Sequence, residues 1–232
     1  MKLAIMQPYF LPYIGYYQLI AAVDVFILYD NIKYTKKGWI NRNRLLRNGK
    51  DAIFSLPLKS DSDYLNICER ELSSNFDRKK LRNQFRDAYH RAPYFKQIFP
   101  LVEDILQYEN VNLFEYLRYA IVKTCAHLGI TTEIRNSSDI AIDHKLMNQD
   151  KVLALCKAVN AKTYVNAMGG VTLYSNEAFF KMGIDLKFIQ PISFYYPQFG
   201  DTFIPWLSII DIMMFNSAEH VQICISNKYQ LI

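Results

Sequence analysis

Short apolar runs alternate along this chain with stretches of helical period, the rhythm of helices laid on a parallel sheet. LAIM is a buried run ended by Gln7 and Pro8, which predicts a strand meeting a turn. Ile14, Tyr17, Gln18, Ile20 and Ala21 then fall at helical spacing, and VFILYD predicts a second buried strand ending in an acid. Strand, helix and strand in so short a span read as a βαβ unit, whose right-handed crossover makes the strands parallel. Ligands of such sheets gather beyond the carboxyl ends of the strands. Gln7 to Tyr13 and Asp30 fall there.

Farther on, KDAIFSLPLK and YLNICERELS predict strands, with the polar SDSD between them as a turn. From Asp77 the period becomes helical: Leu81, Phe85 and Ala88 are the apolar positions of FDRKKLRNQFRDAYHRAP, and Pro93 restarts the chain as APYFKQIFPLVEDILQYE. A third helix, VNLFEYLRYAIVKTCAHLGI, is stopped by Gly129 in the manner of a left-handed cap. These make a helical block over about residues 76–129. After it TTEIRNSSDI predicts a strand and loop, QDKVLALCKAV a helix, and KTYVNAMGG a strand opening onto two glycines. GIDLKFIQ predicts another strand, LSIIDIMMFN an apolar helix, and a short helix closes the chain. The expected fold is α/β, a Rossmann-like mainly parallel sheet flanked by helices, with an inserted helical block, in one domain over residues 1–232.

Composition narrows the chemistry. Among 232 residues, 27 Lys and Arg stand against 22 Asp and Glu, and a net charge of +5 does not call for nucleic acid or an acidic membrane as partner. Aromatic residues make up 15% of the chain, with 17 Tyr and 15 Phe, and tyrosine joins apolar area to a hydroxyl that can bond a polar ligand. That suits a carbohydrate or nucleotide site, and equally an interface. The four cysteines, Cys68, Cys125, Cys156 and Cys224, lie far apart without a CxxC pair and read as reduced core residues. No secretory segment and no apolar run fit to span a bilayer is seen, so the cytoplasm is the expected location. None of the four histidines forms a paired ligand motif, although His144, after Asp143, could serve as a base from a loop. No metal is expected, since no carboxylate cluster suggests one.

Four segments are candidate sites. In QPYFLPYIGYYQLI, Pro8 and Pro12 restrict the turn and Gly15 permits close backbone approach, so that a phosphate or sugar could rest on the helix N-terminus beside Gln7, Tyr9 and Tyr13; the competing reading is a glycine needed for helix–strand packing. In YDNIKYTKKGWINRN and the Arg44 that follows it, Lys33, Lys36, Lys37, Arg42 and Arg44 beside Tyr29, Tyr34 and Trp39 could hold a diphosphate and stack a ring, with Asn41 and Asn43 alternating around Arg42; a solvated basic loop is the plain alternative. The same mixture would suit single-stranded nucleic acid, but one short patch is thin support for it. YVNAMGG ends a predicted strand with Asn166, Gly169 and Gly170, a turn or an anion cradle without a P-loop lysine. Finally, FGDTFIPWLSIIDIMMFN brings together Asp201, Ser208, Asp211 and Asn216; Ser208 with Asp211 reads as a capping-box variant, and a buried Asp211 calls for a partner, a basic group being the natural one.

The first turn is similar to the start of the nucleotidyltransferase superfamily, whose HxGH motif follows the first strand; here Tyr13, Ile14, Gly15 and Tyr16 stand in its place, and a neutral phenol cannot supply the cationic stabilisation of a histidine. Far more of the chain resembles the WbqC-like protein family, through MQPYFLPYIGYYQLI, YDNIKYTKKGWINRN, YHRAPYF, YVNAMGG and LSIIDIMMFN. This resemblance implies work on bacterial surface polysaccharide of the O-antigen type, and with the basic, aromatic, amide-rich segment it suggests an enzyme that transfers an acyl or aminoacyl group to the amine of a nucleotide-linked sugar. On that expectation Lys36, Lys37 and Arg42 neutralise the diphosphate, Tyr9, Tyr13 and Trp39 cover rings, Asn41 and Asn43 read hydroxyls, and Asp30 or Asp211 orients the amine or takes its proton. The partner is a nucleotide sugar and the second reactant an activated acyl donor, with no further cofactor. Two other readings stand beside it: a non-catalytic partner of a polysaccharide enzyme, and a nucleotidyltransferase working with tyrosines.

Overall fold

Alternate residues of the first two strands face opposite ways into two separate apolar clusters. Leu3, Ile5, Val25 and Ile27 enter one, while Ala4, Phe26 and Leu28 enter the other. Such strands belong at the middle of a sheet covered on both faces. A computed structural model describes residues 1–200 and 202–232 and places them there. β1 (Lys2–Met6) and β2 (Val25–Leu28) are parallel neighbours joined by helix α1 (Ile14–Ala21).

The remaining strands of the sheet come later in the chain. They are β5 (Glu133–Asn136), β6 (Thr163–Ala167), β7 (Asp185–Pro191) and β8 (Tyr229–Leu231), and the sheet order is β5-β2-β1-β6-β7-β8. All pairs are parallel except β7 with β8. The chain leaves β1 toward β2 and β5, then returns to build outward from β6, so the order reverses between β1 and β6. The expected Rossmann-like α/β sheet is present, and a crevice at the carboxyl ends of β1 and β6 follows from its topology. One face carries α5 (Asn148–Ala158) and α6 (Asn176–Lys181), with Val152, Leu155, Cys156 and Phe179 buried against the strands. Against the other lie α1 and α8 (Ala218–Asn227), locked together where buried Gln18 donates to the carbonyls of Cys224 (2.9 Å) and Lys228 (3.0 Å). Three of the cysteines are buried and Cys68 is half-buried, all four free.

Everything between β2 and β5 is inserted. It begins with a hairpin, β3 (Arg42–Arg47) and β4 (Lys50–Ser55), whose turn residues Asn48 and Gly49 have φ of 51° and 72°. Asn-Gly is the pair that tolerates such a turn. Helices α2 (Arg78–Tyr89), α3 (Phe95–Gln107) and α4 (Leu113–His127) follow, and Gly129, at φ 69°, ends the last as expected. Phe54 links the layers, its ring 5.7 Å from Phe10 in the first turn and 4.8 Å from Phe85 in α2.

Two expectations need correction. YLNICERELS is not a strand: Glu69 Oε2 accepts from the Asn66 N–H at 2.7 Å and the chain coils into a short 3₁₀ turn over Ile67–Glu69. Arg70 then folds its guanidinium onto the carbonyls of Ser62 and Lys59 and over the Tyr34 ring. Local side-chain bonds have outcompeted a ladder here. The hairpin itself forms one step earlier than expected, with residues 42–47 as its first strand.

Phe85 is fully buried where the inserted helices meet the hairpin. Phe85→Ala is expected to cost about 3–5 kcal/mol. Urea unfolding followed by far-UV circular dichroism and by tryptophan emission should give coincident transitions, both shifted; separate midpoints would mean that the helical block unfolds on its own.

Candidate functional site

The turn after β1 is built on a left-handed residue. Leu11 has φ 45°, which costs a residue with a β-carbon roughly 1–2 kcal/mol. Its carbonyl accepts from Asn43 Nδ2 at 2.9 Å and from Ser208 Oγ at 2.8 Å, and these two bonds hold the conformation. Around them the Phe10 N–H donates to Ile40 O (2.9 Å), the Ile209 N–H to Pro12 O (2.8 Å) and the Ser208 N–H to Arg44 O (2.9 Å). The first turn, the basic loop and the start of α7 (Ile209–Phe215) are thereby one unit. Tyr13 precedes α1 and folds its ring over Gly15, where a β-carbon would stand 2.3 Å from the ring carbon and hydroxyl. The glycine makes room for a phenol of its own chain. Burial raises the Tyr13 hydroxyl above its ordinary pKa, and raises Tyr9 likewise with help from Tyr13, so both phenols are neutral near pH 7.

A cavity of about 340 Å³ opens between Tyr13 and the segment that follows β7. Phe194, Tyr195, Tyr196, Phe203 and Trp206 wall it, with Ser193 and Ser208 as further polar lining. Phe203 meets Tyr195 and Tyr196 in edge contacts at 5.1 and 5.0 Å, and Trp206 meets Tyr13 at 5.7 Å. Among the described residues no lysine or arginine lines it. Such walls select planar or weakly polar matter by stacking and shape. Because β7 ends and α1 begins at this side of the sheet, the cavity lies at the carboxyl edge, where a doubly wound fold puts its ligands.

Beneath one wall sits Asp211, fully buried near the start of α7. Its carboxylate accepts from Tyr89 Oη (2.9 Å), Tyr196 Oη (2.7 Å) and Gln198 Nε2 (2.7 Å). Tyr89 in turn accepts from the Leu46 N–H at 3.0 Å. The expected basic partner is replaced by two phenols and an amide, because the carboxyl is enclosed by the inserted helix α2 and the aromatic segment, neither of which brings a cation to it. Burial pushes Asp211 up to about 6, outweighing the three donors. The capping-box reading is half right: Ser208 Oγ accepts from the Ile210 N–H at 3.3 Å, whereas the Ser208 N–H goes to Arg44 O and not to Asp211. Asn216 donates back to Ile212 O, and Asp201 lies outside the described residues.

The other candidates occupy two further places along the same edge. Asn41 and Asn43 spend their amides on the scaffold, Asn41 between Tyr34 Oη and Leu56 O, Asn43 on the first turn. Arg42 folds onto the carbonyls of Gly38 and Lys37, Lys36 pairs with Asp63 at 2.6 Å, and the guanidiniums of Arg42 and Arg44 both lie over the Trp39 ring. None of these lines the cavity, although Arg44 reaches its wall by donating to Trp206 O at 3.1 Å. Asp30, after β2, is 1% exposed; its Oδ1 accepts from Ser137 Oγ (2.7 Å) and the Ser138 N–H (2.9 Å). Near it Lys151 donates to Asn31 O at 2.9 Å, with its pKa lowered by burial against the raising influence of Asp30, and His144 pairs with Asn31 Nδ2 at 2.8 Å. Gln7, whose carbonyl accepts from Tyr16, follows β1, and Asn166, whose Oδ1 accepts from the Ala167 N–H, lies in β6. The glycine that Asn166 presses upon is Gly170, while Gly169 is open.

Sequence reasoning about site residues passed over Phe194, Tyr195, Tyr196, Phe203 and Trp206. The signal was there in PISFYYPQFGDTFIPW, a loop far too aromatic to be a plain connection. Nothing local says that it folds back onto Tyr13.

A doubly wound sheet with a helical insertion, and an aromatic cavity at its carboxyl edge, define a Rossmann-like α/β protein. The profile of the WbqC-like protein family matches residues 7–223, and the chain belongs to that family. It is similar to the uncharacterized protein Rv1507c of Mycobacterium tuberculosis (strain ATCC 25618 / H37Rv), 28% identical over 222 residues that cover 94% of this chain and 95% of that protein. No solved structure matches it. Among the described residues no helix is long and apolar enough to cross a membrane.

Two variants probe this geometry. Folded Asp211 keeps its proton to about pH 6 against an ordinary value of 3.8, so its favourable share is whole below about pH 4 and about 3 kcal/mol of it is lost as pH rises through 6. Asp211→Asn should therefore flatten the fall in urea midpoint between about pH 4 and about pH 7, and an unchanged slope would show that this carboxyl is not the group responsible. Gly15→Ala should evict the Tyr13 ring from the cavity wall, visible in a crystal structure, with little loss of stability because the displaced atoms end a flexible side chain. A loss above about 2 kcal/mol would make Gly15 a packing residue instead.

Proposed function

We propose that this protein is an enzyme of bacterial surface-polysaccharide biosynthesis that acts on a nucleotide-linked amino sugar and transfers an acyl or aminoacyl group to its amine. The observation that carries this reading is the aromatic cavity's position in the strand order. Three strand spacings separate β7, beside the cavity, from β2, which delivers Asp30, a distance of about 14 Å. An extended nucleoside diphosphate sugar matches that reach. Its ring would enter the cavity beside Tyr13, its diphosphate would cross the β1/β6 crevice at Gln7 and Asn166 under the field of Lys36, Lys37 and Arg42, and its sugar would come to Asp30.

The chemistry asks little of a metal. The sugar amine attacks the carbonyl carbon of an activated acyl donor, the new C–N bond forms, the donor's leaving group departs with its electron pair, and the amine sheds a proton. Asp30 suits the proton's acceptor, because its Oδ2 makes no hydrogen bond among the described residues. Asp211 reaches the cavity only through Tyr196 and suits a positioning role.

A second reading, a binding protein for an enzyme of the same pathway, is favoured by one fact: both carboxylates are at most 1% exposed. Mass spectrometry of the purified protein with a panel of amino-sugar nucleotides and acyl or aminoacyl donors separates the two. The enzyme reading expects a product of shifted mass, and a fall in turnover of about a hundredfold or more in Asp30→Asn with nucleotide-sugar binding kept. Neither binding nor turnover across the panel supports the second reading, and pyrophosphate released from a nucleoside triphosphate would point to nucleotidyl transfer.

A further inference from the structure

The chain has two tryptophans, Trp39 and Trp206, and the structure treats them differently. Two guanidiniums crowd the Trp39 ring, Arg42 at 5.6 Å and Arg44 at 5.5 Å from its centroid. A face already stacked on a planar cation is poorly placed to receive a second planar group. Trp206 makes a T-shaped contact with Tyr13, at 62° between the planes, and remains 58% exposed at the cavity wall. Its backbone is in the left-handed region at φ 61°, where a bulky side chain is rare and survives only when its surroundings hold it. Here the holding group is Arg44. Its Nη2 donates to Trp206 O at 3.1 Å, and its own carbonyl accepts the Ser208 N–H at 2.9 Å, so one residue of β3 grips both ends of the turn from 206 to 208. Nη1 is anchored on Asp51 at 3.2 Å.

We infer that Trp206 is the stacking platform for the nucleobase of the ligand, and that Arg44 is a positioning residue which acts by holding Trp206 in its left-handed turn. This rests on the reading of the cavity as a nucleotide-sugar site and adds which end of the ligand enters it. The aromatic lining without cations fits a base, whose π-face can be covered by an indole, and does not fit a diphosphate. Arg44 could be mistaken for a phosphate ligand, but its two terminal nitrogens are engaged with Asp51 and Trp206 O.

The test uses uridine diphosphate, thymidine diphosphate and inorganic pyrophosphate on the full chain. Tryptophan emission should be quenched saturably by both nucleotides in the wild type and not in Trp206→Phe, which keeps Trp39, and pyrophosphate should quench neither. By calorimetry Trp206→Ala should weaken nucleotide binding by about tenfold or more, Trp206→Phe by less, and pyrophosphate binding should not change. Arg44→Gln should weaken nucleotide binding in the same direction, and the double variant Arg44→Gln with Trp206→Ala should be no worse than Trp206→Ala alone. Additive losses, or an Arg44→Gln loss shared equally by pyrophosphate, would make Arg44 a phosphate contact and overturn its positioning role. Nucleotide binding that Trp206→Ala leaves unchanged overturns the platform while the nucleotide-sugar reading stands. Absence of nucleotide binding by the wild-type chain overturns both.

Discussion

The carbonyl of Leu11 receives an amide from Asn43 and a hydroxyl from Ser208, and this shared acceptor joins three stretches of chain that are far apart in sequence. A buried carbonyl in a left-handed turn would otherwise be unsatisfied and strained at once. With both bonds made, the turn has one geometry, and it directs α1 back across the sheet and sets Tyr13 over Gly15. The hairpin strand β3 and the start of α7 are fixed by the same contact, because each contributes one of the two donors. The cavity needs all three. Its inner wall comes from the first turn, its outer wall from the approach to α7, and its bracing from β3.

Electrostatics divide this edge of the molecule into regions with different tasks. The cavity is aromatic and free of cations among the described residues, with a buried carboxyl behind it whose donors are neutral. Two phenols, Tyr89 on Oδ1 of Asp211 and Tyr196 on its Oδ2, tie the inserted α2 to the aromatic segment. Lys33, Lys36 and Lys37 stand exposed on the loop after β2, outside the cavity, and Arg42 and Arg44, half-buried in β3, are folded over Trp39 and onto backbone carbonyls. The polar cluster around Asp30, Asn31 and Lys151 forms a third region, at the far end of the same edge.

The reversal of strand order between β1 and β6 is what lets these regions lie in a row. Strands added outward on either side of β1 deliver their following loops to one edge, where the loop after β7, those after β6 and β1, and the loop after β2 follow one another in that order. The helices inserted between β2 and β5 sit against the face that carries α1 and α8, while the loop and hairpin that precede them lie at the edge, bonded to the first turn.

Much of this could be read without coordinates. The apolar runs LAIM and VFIL, the helical periods from Asp77 to Gly129 and the glycine that stops α4 are local facts of spacing and conformational preference, and they lead to a parallel sheet with a helical insertion. The family resemblance likewise rests on short stretches of letters. Other features were decided by partners distant in the chain. Asn41 and Asn43 look like ligand-reading amides until Leu56 and Leu11 claim them, Arg42 looks like a phosphate ligand until it folds onto Lys37 and Gly38, and Asp211 looks in want of a cation until Tyr89 and Tyr196 enclose it. A side chain's type states what it can bond, and only the folded chain states what it does bond, because donors and acceptors are matched across contacts that sequence spacing does not encode. The sequence by itself therefore determined the parallel strands of the sheet, the helical block and the crowding of aromatic residues into one late loop, but not the hairpin strand β3 or the closing strand β8. The tertiary structure decided that this loop closes on Tyr13, since that closure depends on hydrogen bonds between residues nearly two hundred positions apart.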